Sequence, residues 1–276
     1  MESIVQSLKS YLPNQPKKVY SPVGRCIYCH STDDLTVEHI IPFGLGGRLE
    51  LPESSCHRCS KITSDFEHTC LRTMYGPLRL LYDLPSRRKK NRPLKLPLKV
   101  KKAAEDEWTY IEVEQERYPF LILFPQLTMP NMITGETVHH GAKAKTFWIR
   151  GASPSYVFKD LLQQLTIQLN VHTIMPEAKA EVDRFCQMLA KIAYSFAIGE
   201  LGIEAFRPFM IPHILQKELD DTDDYIGCWS ETEKATKNLH EISIVEMGDK
   251  NLVVVRLRLL AKLETPTYIV VTGKFK

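Results

Sequence analysis

The stretch "CIYCHSTDDLTVEHIIPFGLGGRLELPESSCHRC", residues 26–59, begins and ends on a Cys-x-x-Cys pair and carries an acidic residue beside a histidine between them. Each pair offers two thiolates from one tight turn, and 26 residues separate Cys29 from Cys56. Four sulfurs gathered in this way match the tetrahedral preference of zinc. A single pair would be compatible with redox chemistry or chance. Two pairs in one short unit point to Cys26, Cys29, Cys56 and Cys59 as a structural zinc set, with His30 and His57 beside them as substitute ligands. A unit of about fifty residues buries too little apolar surface to hold itself together, so the metal would supply folding energy.

Outward from that stretch the chain has 276 residues, 43% of them hydrophobic and 25% charged, which supplies a packed core and excludes a disordered polyelectrolyte. No apolar run approaches bilayer length, and the first residues lack the basic, apolar and small-residue pattern of a secretory leader. The expectation is a cytoplasmic protein with no membrane partner. Seven cysteines, an odd number, fit a reducing compartment with a metal site better than a disulfide scaffold, and Cys186 and Cys228 fall in core-like segments.

Charge divides the chain. Residues 1–105 hold 18 Lys and Arg against 10 Asp and Glu, while the remainder holds 18 against 23. The densest cluster is Arg87, Arg88, Lys89, Lys90 and Arg92. Such a cluster attracts a polyanion such as DNA or RNA, because each neutralised phosphate releases condensed counterions. It fits a solvated linker equally well, kept extended by Pro85, Pro93 and Pro97.

The spacing predicts a leader over 1–22 with a short helix at 2–11, the cysteine unit over 23–80, a basic proline-containing linker over 81–105 and a mixed α+β domain over 106–276. Strands are expected in "WTYIEVEQERYPFLILFP", "KTFWIRG" and "TPTYIVVTGKF", and a hairpin turning at 248–250. A helix is expected in "SPSYVFKDLLQQLTIQL" behind a serine cap, and another over 176–202, ending on glycine. In the second helix Val182, Phe185, Leu189, Ile192, Ala193 and Phe196 form a stripe that reads as core.

The order Cys-x-x-Cys, "TVEHIIPFGLGG", Cys-x-x-Cys and then an expected helix "SKITSDFEHTCLR" resembles the zinc-containing HNH endonucleases, over residues 24–75. The resemblance implies a ββα-metal unit with a structural zinc. It also implies a second divalent ion, Mg2+ or Mn2+, and hydrolysis of DNA phosphodiester bonds. On it, His39 is the general base, Glu38 a ligand of the catalytic metal, and the loop over residues 44–47 a sharp turn that approaches a phosphate backbone. The chemistry is coherent, since hydrolysis needs a base for water and a cation for the charge that builds on phosphate. Two positions depart from the family pattern: Leu51 and Ser60 stand where Asn, or Asn and His, are common. Either the chemistry is lost and the chain is a DNA- or RNA-binding regulator or interaction module, or a ligand comes from the following helix. Asp65, Glu67 and His68 are the candidates there, with Glu67 preferred because a carboxylate suits a hard cation. The family's habits imply a bacterial or phage setting and a defence or mobile-element role.

Overall fold

The computed structural model describes residues 17–86, 92–136, 146–152, 158–215, 221–229, 233–245 and 250–276. The helix expected at 2–11, the serine cap near 153 and residues 248 and 249 of the turn expected at 248–250 lie outside them, as do Arg87, Arg88, Lys89 and Lys90. The chain is α+β, with several antiparallel sheets and a few helices.

The first sheet holds β1 (Lys18–Val19), β2 (Leu35–His39) and β3 (Leu49–Cys56) in the order β1-β3-β2. β2 and β3 are antiparallel, with Glu38 opposite Leu51 and His39 opposite Glu50, and the register slips between Thr36 and Glu38. β3 runs directly into α1 (His57–Thr69), which continues through a wider turn over Cys70–Met74 to α2 (Gly76–Leu81).

The segment expected as a linker contains β4 (Lys95–Lys101), which pairs with β5 (Thr109–Glu114). Its apolar residues alternate, and Leu98 and Val100 are fully buried, so this part is extended as the prolines suggested but covered, not solvated. β6 (Phe120–Gln126) and β7 (Thr146–Ala152) form a two-stranded ladder. α3 (Phe158–Gln168) follows, and then β8 (Thr173–Met175), which returns to the other edge of β4.

α4 (Val182–Leu201) is the axis of the molecule. It packs on α1 and also on the largest sheet, in which β9 (Phe206–Pro208), β10 (Ile226–Cys228), β11 (His240–Val245), β12 (Leu252–Leu259) and β13 (Tyr268–Phe275) pair antiparallel around β13 and β12. The helix starts later than the apolar spacing suggested. Pro176 and Glu177 are not its first turn: Glu177 is held by Lys99 and the Tyr110 hydroxyl, each at 3.1 Å. Every residue from Phe185 to Ile198 is buried, so the helix is enclosed on all sides, where the sequence stripe implied one covered face. One hydrophobic cluster joins Cys26 and Ile40 to Phe185 and Val270, and the cysteine-rich segment shares its core with the rest of the chain.

Candidate functional site

Cys26 and Cys29 lie in the turn before β2, Cys56 closes β3, and Cys59 lies in the first turn of α1. The turn is built by Cys26 and Ser31: the Cys26 N–H donates to the Ser31 carbonyl at 2.7 Å, and the His30 N–H donates to the Cys26 carbonyl at 2.9 Å. The Ile27 N–H fastens it to the Ser54 carbonyl at 2.8 Å, which sets the first pair against the second. The four sulfurs all lie within 4.8 Å of one another, and all four thiols are free. Cys29 Sγ and Cys56 Sγ are 3.6 Å apart. Two thiolates on one tetrahedral zinc, with Zn–S near 2.3 Å, would sit about 3.8 Å apart, so the donor set fits the ion. The Ser31 backbone N–H is the main influence on the Cys29 thiol, pulling it down to about 7 and favouring the thiolate. His30 and His57 are exposed and stand outside the four-sulfur group.

Beside this cluster lies a second group that the sequence only half anticipated. Glu38 is 6% exposed and points inward from β2, and Glu67 reaches the same place from α1. Between them is the ammonium of Lys191, a residue of α4 that is 0% exposed. Its Nζ lies 2.6 Å from Glu38 Oε1 and 2.7 Å from Glu67 Oε1. It also donates to the carbonyl of His39, and the Ile40 carbonyl is 3.3 Å away. The Tyr28 hydroxyl donates to Glu38 Oε2 at 3.1 Å. Burial pulls the Lys191 ammonium down, but the two adjacent carboxylates outweigh it and hold the group above its ordinary value, so it stays charged. Burial, with the charge of Glu38, raises the Tyr28 phenol well above its usual range and keeps it a hydroxyl donor.

Mg2+ and Mn2+ do not fit this pair. Both carboxylates already share one ammonium, and a hard divalent ion needs open oxygen ligands at about 2.0–2.1 Å. The departures at Leu51 and Ser60 supply no further ligand: Leu51 is core, and the Ser60 hydroxyl donates to the His57 carbonyl at 2.9 Å. Asp65 and His68 are exposed on α1, away from the pair.

His39 faces the other way from Glu38, as neighbours on a strand do. Its side chain is part-exposed, stacked obliquely near Phe43 with ring centres 5.8 Å apart, and its Nδ1 is 3.9 Å from Glu50 Oε1. Glu38, Glu67 and His39 are thus not one constellation: the carboxylates meet inside, and the imidazole stands at the surface.

The glycine loop after Pro42 turns sharply, as expected, but approaches its own chain and not a solvent-facing groove. Residues 44–47 are buried. A Cβ on Gly47 would lie 2.0 Å from the Ile41 carbonyl oxygen, and Gly46 has φ 83°. Arg79 Nε donates to the Gly44 carbonyl at 2.9 Å, and the Leu45 carbonyl accepts from His240 Nε2 at 2.9 Å. The other His240 nitrogen, Nδ1, accepts from the Leu260 N–H at 3.3 Å, which fixes the ring tautomer and joins the loop to the C-terminal sheet. Arg92, the described member of the basic cluster, donates to Asp83 and to the Leu84 carbonyl and so is committed to its own chain.

No protein-family model matches this chain, and no match was found among curated proteins or solved structures. Among the described residues, no helix is long and apolar enough to cross a membrane.

Proposed function

We propose that this chain is a zinc-stabilised endonuclease of the HNH type that hydrolyses DNA phosphodiester bonds, with His39 as the base that activates water. The observation that supports it best is the unit formed by β2, the tight loop, β3 and α1. It presents a part-exposed imidazole at the strand end and carries a four-thiol cluster at its base. Zinc, when bound there, supplies folding energy by tying the turn at Cys26 to the junction of β3 and α1. His39, open to water, takes a proton from the attacking molecule and passes it on as the leaving oxygen departs. Tyr28, Lys191 and the two carboxylates hold the strand that carries it. This reading assigns no step to a divalent ion at Glu38 and Glu67, and leaves the charge that builds on the phosphate to the cationic side chains of the basic segment. The basic segment over residues 87–90 supplies phosphate contacts, the part after it serves recognition or regulation, and the free thiols suit the cytoplasm.

A second reading is favoured by the enclosed ammonium: an HNH-like zinc protein that binds DNA or RNA without cutting it. Plasmid nicking by the purified protein, with and without added Mg2+ or Mn2+, separates the two. His39→Ala should abolish nicking and leave zinc content and DNA affinity nearly unchanged, since phosphate contacts dominate binding. Binding without nicking in the wild-type protein overturns the endonuclease reading. Replacing Arg87, Arg88, Lys89 and Lys90 by Ala should weaken binding for all sequences alike and flatten its salt dependence. An unchanged salt slope reduces the segment to a linker.

A further inference from the structure

The cage around Lys191 has the composition of a hard-cation site. Two carboxylate oxygens and two backbone carbonyls converge on one point in the core, from β2, α1 and the start of the glycine loop. An ammonium has three N–H donors. Glu38, Glu67 and His39 take the three shortest contacts, and Ile40 stands further off at 3.3 Å. We propose that Lys191 is the resident cation of this cage, replacing a divalent ion between Glu38 and Glu67, so that the chain binds metal at its four cysteines and not at its carboxylate pair.

Three observations carry this. The ammonium is fully enclosed, on a helix whose flanking residues from Phe185 to Ile198 are all buried, so it has no open path to water. A divalent ion could enter only by expelling it, which would strand an unpaired charge in the core. Glu38 is occupied on both oxygens, by Lys191 on one and Tyr28 on the other. The helix also brings its own anchors: Tyr194, one turn on, donates to the Ile27 carbonyl at 2.7 Å and fixes α4 against the cysteine turn. One ammonium against two carboxylates leaves a negative charge in excess. Glu67 keeps 18% of its side chain exposed, which lets water share that charge.

The proposal stands whether or not the chain cleaves DNA, and its test reads metal occupancy. Zinc-loaded full-length protein is titrated with Mn2+ and followed by electron paramagnetic resonance, which distinguishes bound from free ion. Wild-type protein should bind no Mn2+ at millimolar concentrations. Lys191→Met, which keeps the length and removes the charge, should gain one bound ion, lost again when Glu67→Gln is added. Wild-type binding of Mn2+ that Glu67→Gln removes overturns the proposal, as does a folded Lys191→Met protein that gains none. Should Lys191→Met fail to fold, Lys191→Arg carries the comparison. A folded arginine variant that, like wild type, takes up no Mn2+ supports the proposal, and uptake that Glu67→Gln removes overturns it.

Discussion

Two anion-rich clusters flank the junction of β3 and α1, and they are completed in opposite ways. The thiol cluster draws all four ligands from residues 26–59, and Arg25, next to Cys26, turns away from it to Glu204. The carboxylate cluster draws its anions from Glu38 on β2 and Glu67 on α1 but receives an ammonium from α4, 152 positions after His39. The first is suited to a metal; the second already holds its counter-charge. Gathered anionic side chains are therefore not enough to define a metal site, and the deciding quantity is whether the protein supplies a cation of its own.

The strongest test of the contrast removes one ligand from each side. Replacing Cys59 by Ser should release the zinc and unfold the N-terminal segment, because structural zinc contributes on the order of 10 kcal/mol to units of this kind. Elemental analysis and a thermal scan read the outcome, and a wild-type protein purified without chelator that contains no zinc would break the comparison. Lys191→Met should cost about 3–5 kcal/mol in denaturant unfolding, the range for leaving a buried charge without its partner. Adding Glu38→Gln and Glu67→Gln to that variant should recover most of the loss. A Lys191→Met protein as stable as wild type would show that the carboxylates do not depend on the ammonium.

Smaller effects sharpen the picture at the loop between the clusters. Gly47→Ala places a methyl group 2.0 Å from the Ile41 oxygen and should cost about 1–3 kcal/mol by overpacking, seen as a lower melting temperature. The last effect is pH-dependent and is confined to acid. Burial presses His240 from 6.5 down to about 4, with its bond to the Leu45 carbonyl opposing. A depressed value in the fold means that the unfolded chain takes the proton first. Stability is unaffected above about 6.5, falls as the pH drops toward 4 and levels below that, a loss of about 3 kcal/mol at most. His240→Gln should flatten that slope, and an unchanged slope assigns the acid sensitivity to other groups.

The thiol cluster was legible because its geometry is local: two tight turns and a 26-residue spacing are visible in the letters. Strands such as β6, β12 and β13 were legible for the same reason, since continuous or alternating apolar runs reflect burial. Glu38 and Glu67 could be paired by their chemistry, but Lys191 could not, because it lies in a helix read as a core stripe. Its signal was present all the same. Lys191 is the lone charged residue in "FCQMLAKIAYSFAI", residues 185–198, and a lysine is almost never enclosed without an anionic partner. The linker reading of 81–105 did not anticipate β4 for a related reason: proline and charge describe how a segment behaves in water, whereas β4 is fixed by the partners that cover Leu98 and Val100.

The distance in sequence between His39 and Lys191 also sets an order of events during synthesis. At about 5–20 residues per second the ribosome needs roughly ten to thirty seconds to translate the 152 positions between them. Throughout that interval the cysteine turns can close on their ion while Glu38 and Glu67 have no ammonium to face. The emerging segment is then half-finished: its thiols are settled, its carboxylates are still solvated, and the strand bearing His39 is not yet locked. Docking of α4 completes it. A nascent chain stalled before that helix would be the one form of this protein in which the carboxylate pair stands open to cations from solution.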